Sequence, residues 1–112
     1  MKSVNLLFGI HCHQPVGNFD FVFEDVTEKS YRPFLEVLER HPAVRITIHF
    51  TGGLLEWLEA HSPEMLDKLR RLVARGQIEM LGGGFYEPIL AVIPEADRVS
   101  QGRLLSEYLK EK

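Results

Sequence analysis

Only one cysteine, Cys12, stands in the chain. No internal disulfide can form, which is compatible with a reducing cytoplasm. Long hydrophobic runs are also missing, and nothing approaches the roughly 18 apolar residues that suggest a membrane span. The apolar stretch Val4 to Ile10 runs into a polar, histidine-bearing turn, not a small-residue cleavage site, so no secretory leader is expected. Charge of one sign is absent too: 13 Lys and Arg are interspersed with 16 Asp and Glu, for a net charge of −3. Without a basic stripe, nucleic acid is not an expected partner, and neither is a membrane. The one basic cluster, Lys68-Leu69-Arg70-Arg71, lies inside an apolar helical pattern and reads as a solvated helix face. There is no internal repeat and no low-complexity segment. What remains is a soluble globular protein, expected in the cytoplasm.

The 112 residues, 45% hydrophobic and 26% charged, suffice for one domain with one core. Three short apolar runs have strand length and strand composition: Val4 to Ile10, Arg45 to Phe50 and Gln77 to Leu81. Helical patterns separate them. Over Ser30 to Arg40, Tyr31, Phe34, Leu35 and Leu38 share one face. Leu54 to Ala60 is a short helical piece with Trp57 in its core. Ser62-Pro63-Glu64 reads as a cap, a first-turn proline and a dipole-favoured acid. The helix they open buries Met65, Leu66, Leu69 and Val73 and ends at Gly76. A last helix follows Pro94 and uses Val99, Leu105 and Leu109. This alternation predicts an α/β fold with a parallel sheet. Long connections, Gln14 to Lys29 and Gly82 to Ile93, leave strand ends where α/β folds place their sites.

Side chains alternate along a strand, so the faces can be read directly. Leu6, Phe8, Ile10 and Cys12 share one face of the first strand, opposite Leu7, Gly9, His11 and His13. Ile46, Ile48 and Phe50 oppose Thr47, His49 and Thr51. Ile78 and Met80 oppose Gln77, Glu79 and Leu81. A doubly wound sheet should be apolar on both sides. One apolar and one mixed face instead suit a barrel whose interior turns polar toward its carboxyl-terminal mouth. His11, His13, His49 and Glu79 are then expected to converge there. For His11, His13 and Glu79 together a binding site is favoured over buried, satisfied polar groups; His49 alone reads equally well as hydrogen-bonded structure.

These residues resemble glycoside hydrolase family 57. His11-Cys12-His13-Gln14-Pro15 is similar to that family's first conserved region and Gly76-Gln77-Ile78-Glu79 to its second. Phe8 to His11, Ser30 to Phe34, Leu54 to Trp57 and Gly84 to Pro88 match its 4-α-glucanotransferase and α-amylase branch, so the resemblance covers essentially the whole chain. It implies the first three βα units of an incomplete (β/α)7 barrel, with residues 1–112 its amino-terminal part. It also implies a retaining hydrolase or glycosyltransferase acting on α-1,4-glucan, such as starch, glycogen or maltooligosaccharides. Such chemistry uses a Glu nucleophile and an Asp acid/base about 5 Å apart and needs no metal or organic cofactor. The resemblance places both carboxylates beyond Lys112, leaving His11, His13 and Glu79 as substrate-binding residues and no catalytic residue here. The chain alone is then expected to be inactive and poorly soluble. Its expected partner is the remainder of the barrel or a second copy.

Several readings stay open at this level. Glu79 and Glu87 could form a carboxylate pair of their own, although Glu87, before Pro88 in a glycine-rich loop, reads at least as readily as structural. Phe19, Phe21 and Phe23 could stack on a glucan, but alternation favours an extended segment packed on the barrel. Cys12 faces the helices and reads as inert. A metal-dependent hydrolase using His11, His13 and His49, with Glu79, is a competing class, and a non-catalytic gene fragment is a third.

Overall fold

A computed structural model describes residues 1–112. Its centre is a sheet of three parallel strands in the order β1-β2-β3, where β1 is Gly9–Cys12, β2 Ile46–Phe50 and β3 Ile78–Met80. The register pairs Gly9 with Thr47 and Thr47 with Glu79, and sets His11 opposite His49. Between the strands run α1 (Asp20–Val26), a single π-helical turn (Thr27–Tyr31) and α2 (Arg32–Arg40), then α3 (Gly52–His61) and α4 (Pro63–Ala74). After β3 a loop leads to α5 (Glu95–Glu111). The expected α/β succession of three βα units is what the chain forms.

The faces divide as alternation dictates. Cys12, Ile46, Ile48, Phe50 and Ile78 are buried against Leu35, Leu38, Leu54, Leu58, Met65, Leu69 and Leu72 of the helices. This burial is the principal source of stability. The opposite face, with Gly9, His11, Thr47, His49 and Glu79, has no helix over it. Gly76, at a φ of +70°, ends α4 in a left-handed conformation that glycine adopts without steric penalty.

Four expectations are corrected. The first strand begins at Gly9, not Val4; Val4, Leu6 and Leu7 are 89%, 84% and 97% exposed because no neighbouring element covers them. The segment carrying Phe19, Phe21 and Phe23 is not extended. Asp20 to Val26 is helical, so Phe23 turns inward to stack on Trp57 at 5.1 Å, while Phe19 and Phe21 stack on each other in solvent. In α4, Leu72 is buried where Val73 was expected: the buried stripe continues from Leu69 at a spacing of three residues and not four. Val99 of α5 is likewise exposed, and Leu105 anchors that helix.

Candidate functional site

The site is built from the carboxyl ends of β1 and β2 and the loop after β3. His11 leaves β1 on the uncovered face, and His13 follows two residues later. The backbone at His13 is held from below: the Tyr31 hydroxyl donates to the His13 carbonyl at 3.2 Å and accepts from Gln14 Nε2 at 3.4 Å. Asn18 Nδ2 in turn donates to Gln14 Oε1 at 3.2 Å. Tyr31 packs edge-on against Phe50 in the core, and burial raises its hydroxyl pKa. A polar chain thus ties the His13 turn to the rigid interior.

From the other side comes the loop after β3. Phe85 is its anchor: the ring is buried over Gly52, where an added Cβ would sit 2.4 Å from it, and the Phe85 carbonyl accepts from the Gly52 N–H at 2.8 Å. Gln101 of α5 accepts from the Phe85 N–H through its carbonyl at 3.2 Å and from the Tyr86 N–H through Oε1 at 2.9 Å. Glu87 follows with a φ of 54°, the one non-glycine residue of the chain with positive φ. Such a conformation persists only where the surroundings over-determine it.

The Glu87 carboxylate bridges the two histidines. Oε1 lies 2.7 Å from His11 Nε2 and Oε2 lies 2.6 Å from His13 Nδ1. His11 Nδ1 meets His49 Nδ1 at 2.8 Å, and the His11 ring stacks on both other imidazoles. His49 Nε2 is buried without a hydrogen-bond partner, hard against Gly83. Burial first, and the neighbouring His11 second, hold the His49 imidazole below its ordinary pKa. Cys12, on the buried face, has its thiol pushed up to about 12 by burial and is inert, as thiolates alone react.

Sequence reasoning placed His11, His13, His49 and Glu79 on one face, and by strand parity they share it. The structure brings the three imidazoles together. Glu79 is exposed on that face, level with Thr47, one pleat earlier than His11 and two strands away from it, a backbone separation of about 10 Å across the sheet. The carboxylate that touches the histidines is Glu87 instead. Its sequence signals were a loop position after a strand's carboxyl end and a place in the family-like Gly84 to Pro88 segment; neither pointed to the histidines. His11, His13 and Glu87 also offer ligand atoms within 4.8 Å of one another, a set that could hold a divalent ion. His49 is not part of that set, because one nitrogen is engaged by His11 and the other is buried. Gln77, expected on the mixed face, instead caps α2, donating from Nε2 to the carbonyls of Leu38 and His41 at 2.8 and 3.0 Å.

Comparison with known proteins gives a consistent result. The model of glycosyl hydrolase family 57 matches residues 7–112. A 4-alpha-glucanotransferase of Thermococcus litoralis is 51% identical over 110 residues, which are 98% of this chain and 17% of that protein. An alpha-amylase of Pyrococcus furiosus is 54% identical over 108 residues, 96% of this chain and 17% of the relative. The crystal structure of the Thermococcus litoralis 4-alpha-glucanotransferase superposes with a TM-score of 0.96 at 50% identity, again over 98% of this chain and 17% of that one. The chain therefore spans about a sixth of the length of these relatives.

Proposed function

We propose that this chain, which belongs to glycosyl hydrolase family 57, forms the amino-terminal part of a larger α-glucan-active enzyme of the 4-α-glucanotransferase or α-amylase type. Residues 1–112 supply the first three units of its (β/α)7 barrel and part of its substrate site. The observation that carries this reading is the convergence of His11, His13 and Glu87 at one strand-end mouth, in a chain half identical to enzymes named for glucan transfer and starch cleavage.

Sugars present rows of hydroxyls that both donate and accept, and imidazoles and carboxylates meet them in fixed directions. In this reading His11, His13 and Glu79 line the sugar-binding face of the sheet, on the side no helix covers. The retaining reaction then needs a nucleophile and an acid/base about 5 Å apart. The family resemblance assigns these to a Glu and an Asp outside the 112 residues, so the chain alone is inactive. The bare apolar side chains of Val4, Leu6 and Leu7 are covered by the rest of the barrel, or by a second copy when the chain is alone. The enzyme works in the cytoplasm without metal or cofactor.

The test is binding of maltotriose to the complete enzyme by calorimetry, comparing wild type with His13→Ala. Weakening of about tenfold or more, the usual effect of losing one good hydrogen bond to a ligand, supports the reading; unchanged affinity refutes it.

A second reading, a divalent-metal hydrolase, is favoured by the ligand geometry of His11, His13 and Glu87. It requires stoichiometric metal in the purified protein and loss of activity with chelator. The glucan reading requires activity that is indifferent to chelator.

A further inference from the structure

We propose that Glu87 is a positioning residue that divides the labour of the two strand-end histidines: it turns His13 into a one-way acceptor for a sugar hydroxyl and leaves His11 no nitrogen for sugar at all. The proposal rests on the glucan reading and deepens it by naming which imidazole meets the substrate and through which atom.

The proton of an imidazole is placed by the partners its two nitrogens meet. An ionised carboxylate only accepts, so the nitrogens 2.7 and 2.6 Å from Glu87 both carry hydrogen. His11 therefore donates from Nε2 and His13 from Nδ1. With its one imidazole proton held on Nδ1 by Glu87, the free atom of His13 is Nε2, a lone pair with no partner within the chain on an exposed ring. That atom accepts, and the group that suits it is a hydroxyl donating its one proton.

The fate of His11 Nδ1 follows from His49. The two Nδ1 atoms are 2.8 Å apart, so one donates to the other. A neutral imidazole such as His49 carries a single proton, on one nitrogen or the other. If that proton were on Nε2, a buried N–H would face Gly83 with no acceptor; on Nδ1, only a lone pair is left unpaired. Orphaned N–H groups are the rarer of the two in folded proteins. His49 thus donates to His11, and both nitrogens of His11 are engaged inside the protein. His11 is the brace between Glu87 and His49.

The backbone at Glu87 fits this role. A glutamate at a φ of 54° is uncommon, and the chain holds it there with the seated Phe85 ring, the two bonds to Gln101 and the Glu87 N–H to Gly84 carbonyl bond at 3.1 Å. A loop needing only to be closed has no use for that conformation. A loop delivering one carboxylate to two imidazoles does.

The experiment is a double-mutant cycle on the KM for maltotriose in the complete enzyme, with thermal melts of every variant. Glu87→Gln replaces one accepting oxygen by a donating amide, so one histidine must turn or reverse its proton. The expected result is a KM raised about tenfold with a near-native melt, and no further rise when Glu87→Gln is added to His13→Ala. Should Glu87→Gln not fold, Glu87→Asp keeps an acceptor-only carboxylate and tolerates positive φ; its KM effect must likewise vanish on His13→Ala. An equal KM rise with and without His13 overturns the proposal, because Glu87 would then act on the substrate directly. A lowered melt with unchanged KM also overturns it, leaving Glu87 a loop pin. If His13→Ala itself leaves KM unchanged, the glucan reading fails and takes this proposal with it.

Discussion

Tyr31 holds His13 by its backbone: the phenol of the π-helical turn donates to the His13 carbonyl at 3.2 Å from beneath the strand end. The hydroxyl is otherwise paired only with Gln14, so removing it frees the turn without opening a large cavity. Tyr31→Phe is expected to destabilise the protein by about 1 kcal/mol and to raise KM with little change in kcat, since the imidazole loses its fixed origin. Denaturant melts and maltotriose kinetics check the two effects separately.

His49 makes stability depend on pH. Burial and the adjacent His11 depress its pKa below the ordinary 6.5. Above that value neither the folded nor the unfolded state is protonated here and nothing is lost. As pH falls through 6.5 the unfolded chain takes up a proton that the folded site resists, so stability drops until the lower folded value is passed. Melting temperature should fall over this window in the wild type and fall less in His49→Gln, measured as paired melts across the acid range.

Gly83 lies so close to His49 that an added Cβ would sit 2.8 Å from Nε2. The imidazole cannot retreat, because its other nitrogen is engaged by His11. Gly83→Ala should therefore act as an overpacking substitution, destabilising by about 1 to 3 kcal/mol, and should raise KM by shifting the His49–His11 pair. Urea denaturation with kinetics on the same samples tests this.

Cys12 should be silent toward alkylation. Its thiol is buried and pushed up to about 12, so almost no thiolate forms near neutrality. Iodoacetamide should label it only after unfolding, read by intact mass; rapid labelling of the native protein would contradict the burial.

How far the sequence could be read follows from which contacts are local. The three strands, and the helices around Leu35, Leu58 and Leu69, were legible because each writes its own periodicity. The division of the sheet into an apolar and a polar face came from parity at Ile46, Ile48 and His49. The extent of β1 did not, since Val4 to Leu7 has strand composition but pairing depends on a neighbour, and only Gly9 to Cys12 finds one. Phe19, Phe21 and Phe23 alternate like a strand, yet Trp57, distant in the chain, draws Phe23 inward and donates from Nε1 to Asp20, fixing a helix. Glu87 reads as a partner of Glu79 or as structural, and its bridge to the histidines was not legible for the same reason. Its partners His11 and His13 lie near the other end of the chain, and what brings it to them is Phe85 on Gly52, a packing contact without a local pattern.

The central claim is that the His13 imidazole at the end of β1 meets sugar. A crystal structure of the complete enzyme soaked with maltotriose tests it most directly. The account predicts a sugar hydroxyl within about 3 Å of His13 Nε2, with Glu87 still spanning His11 and His13. A metal ion among those three residues, or a maltotriose bound elsewhere with His13 Nε2 facing only water, would contradict it.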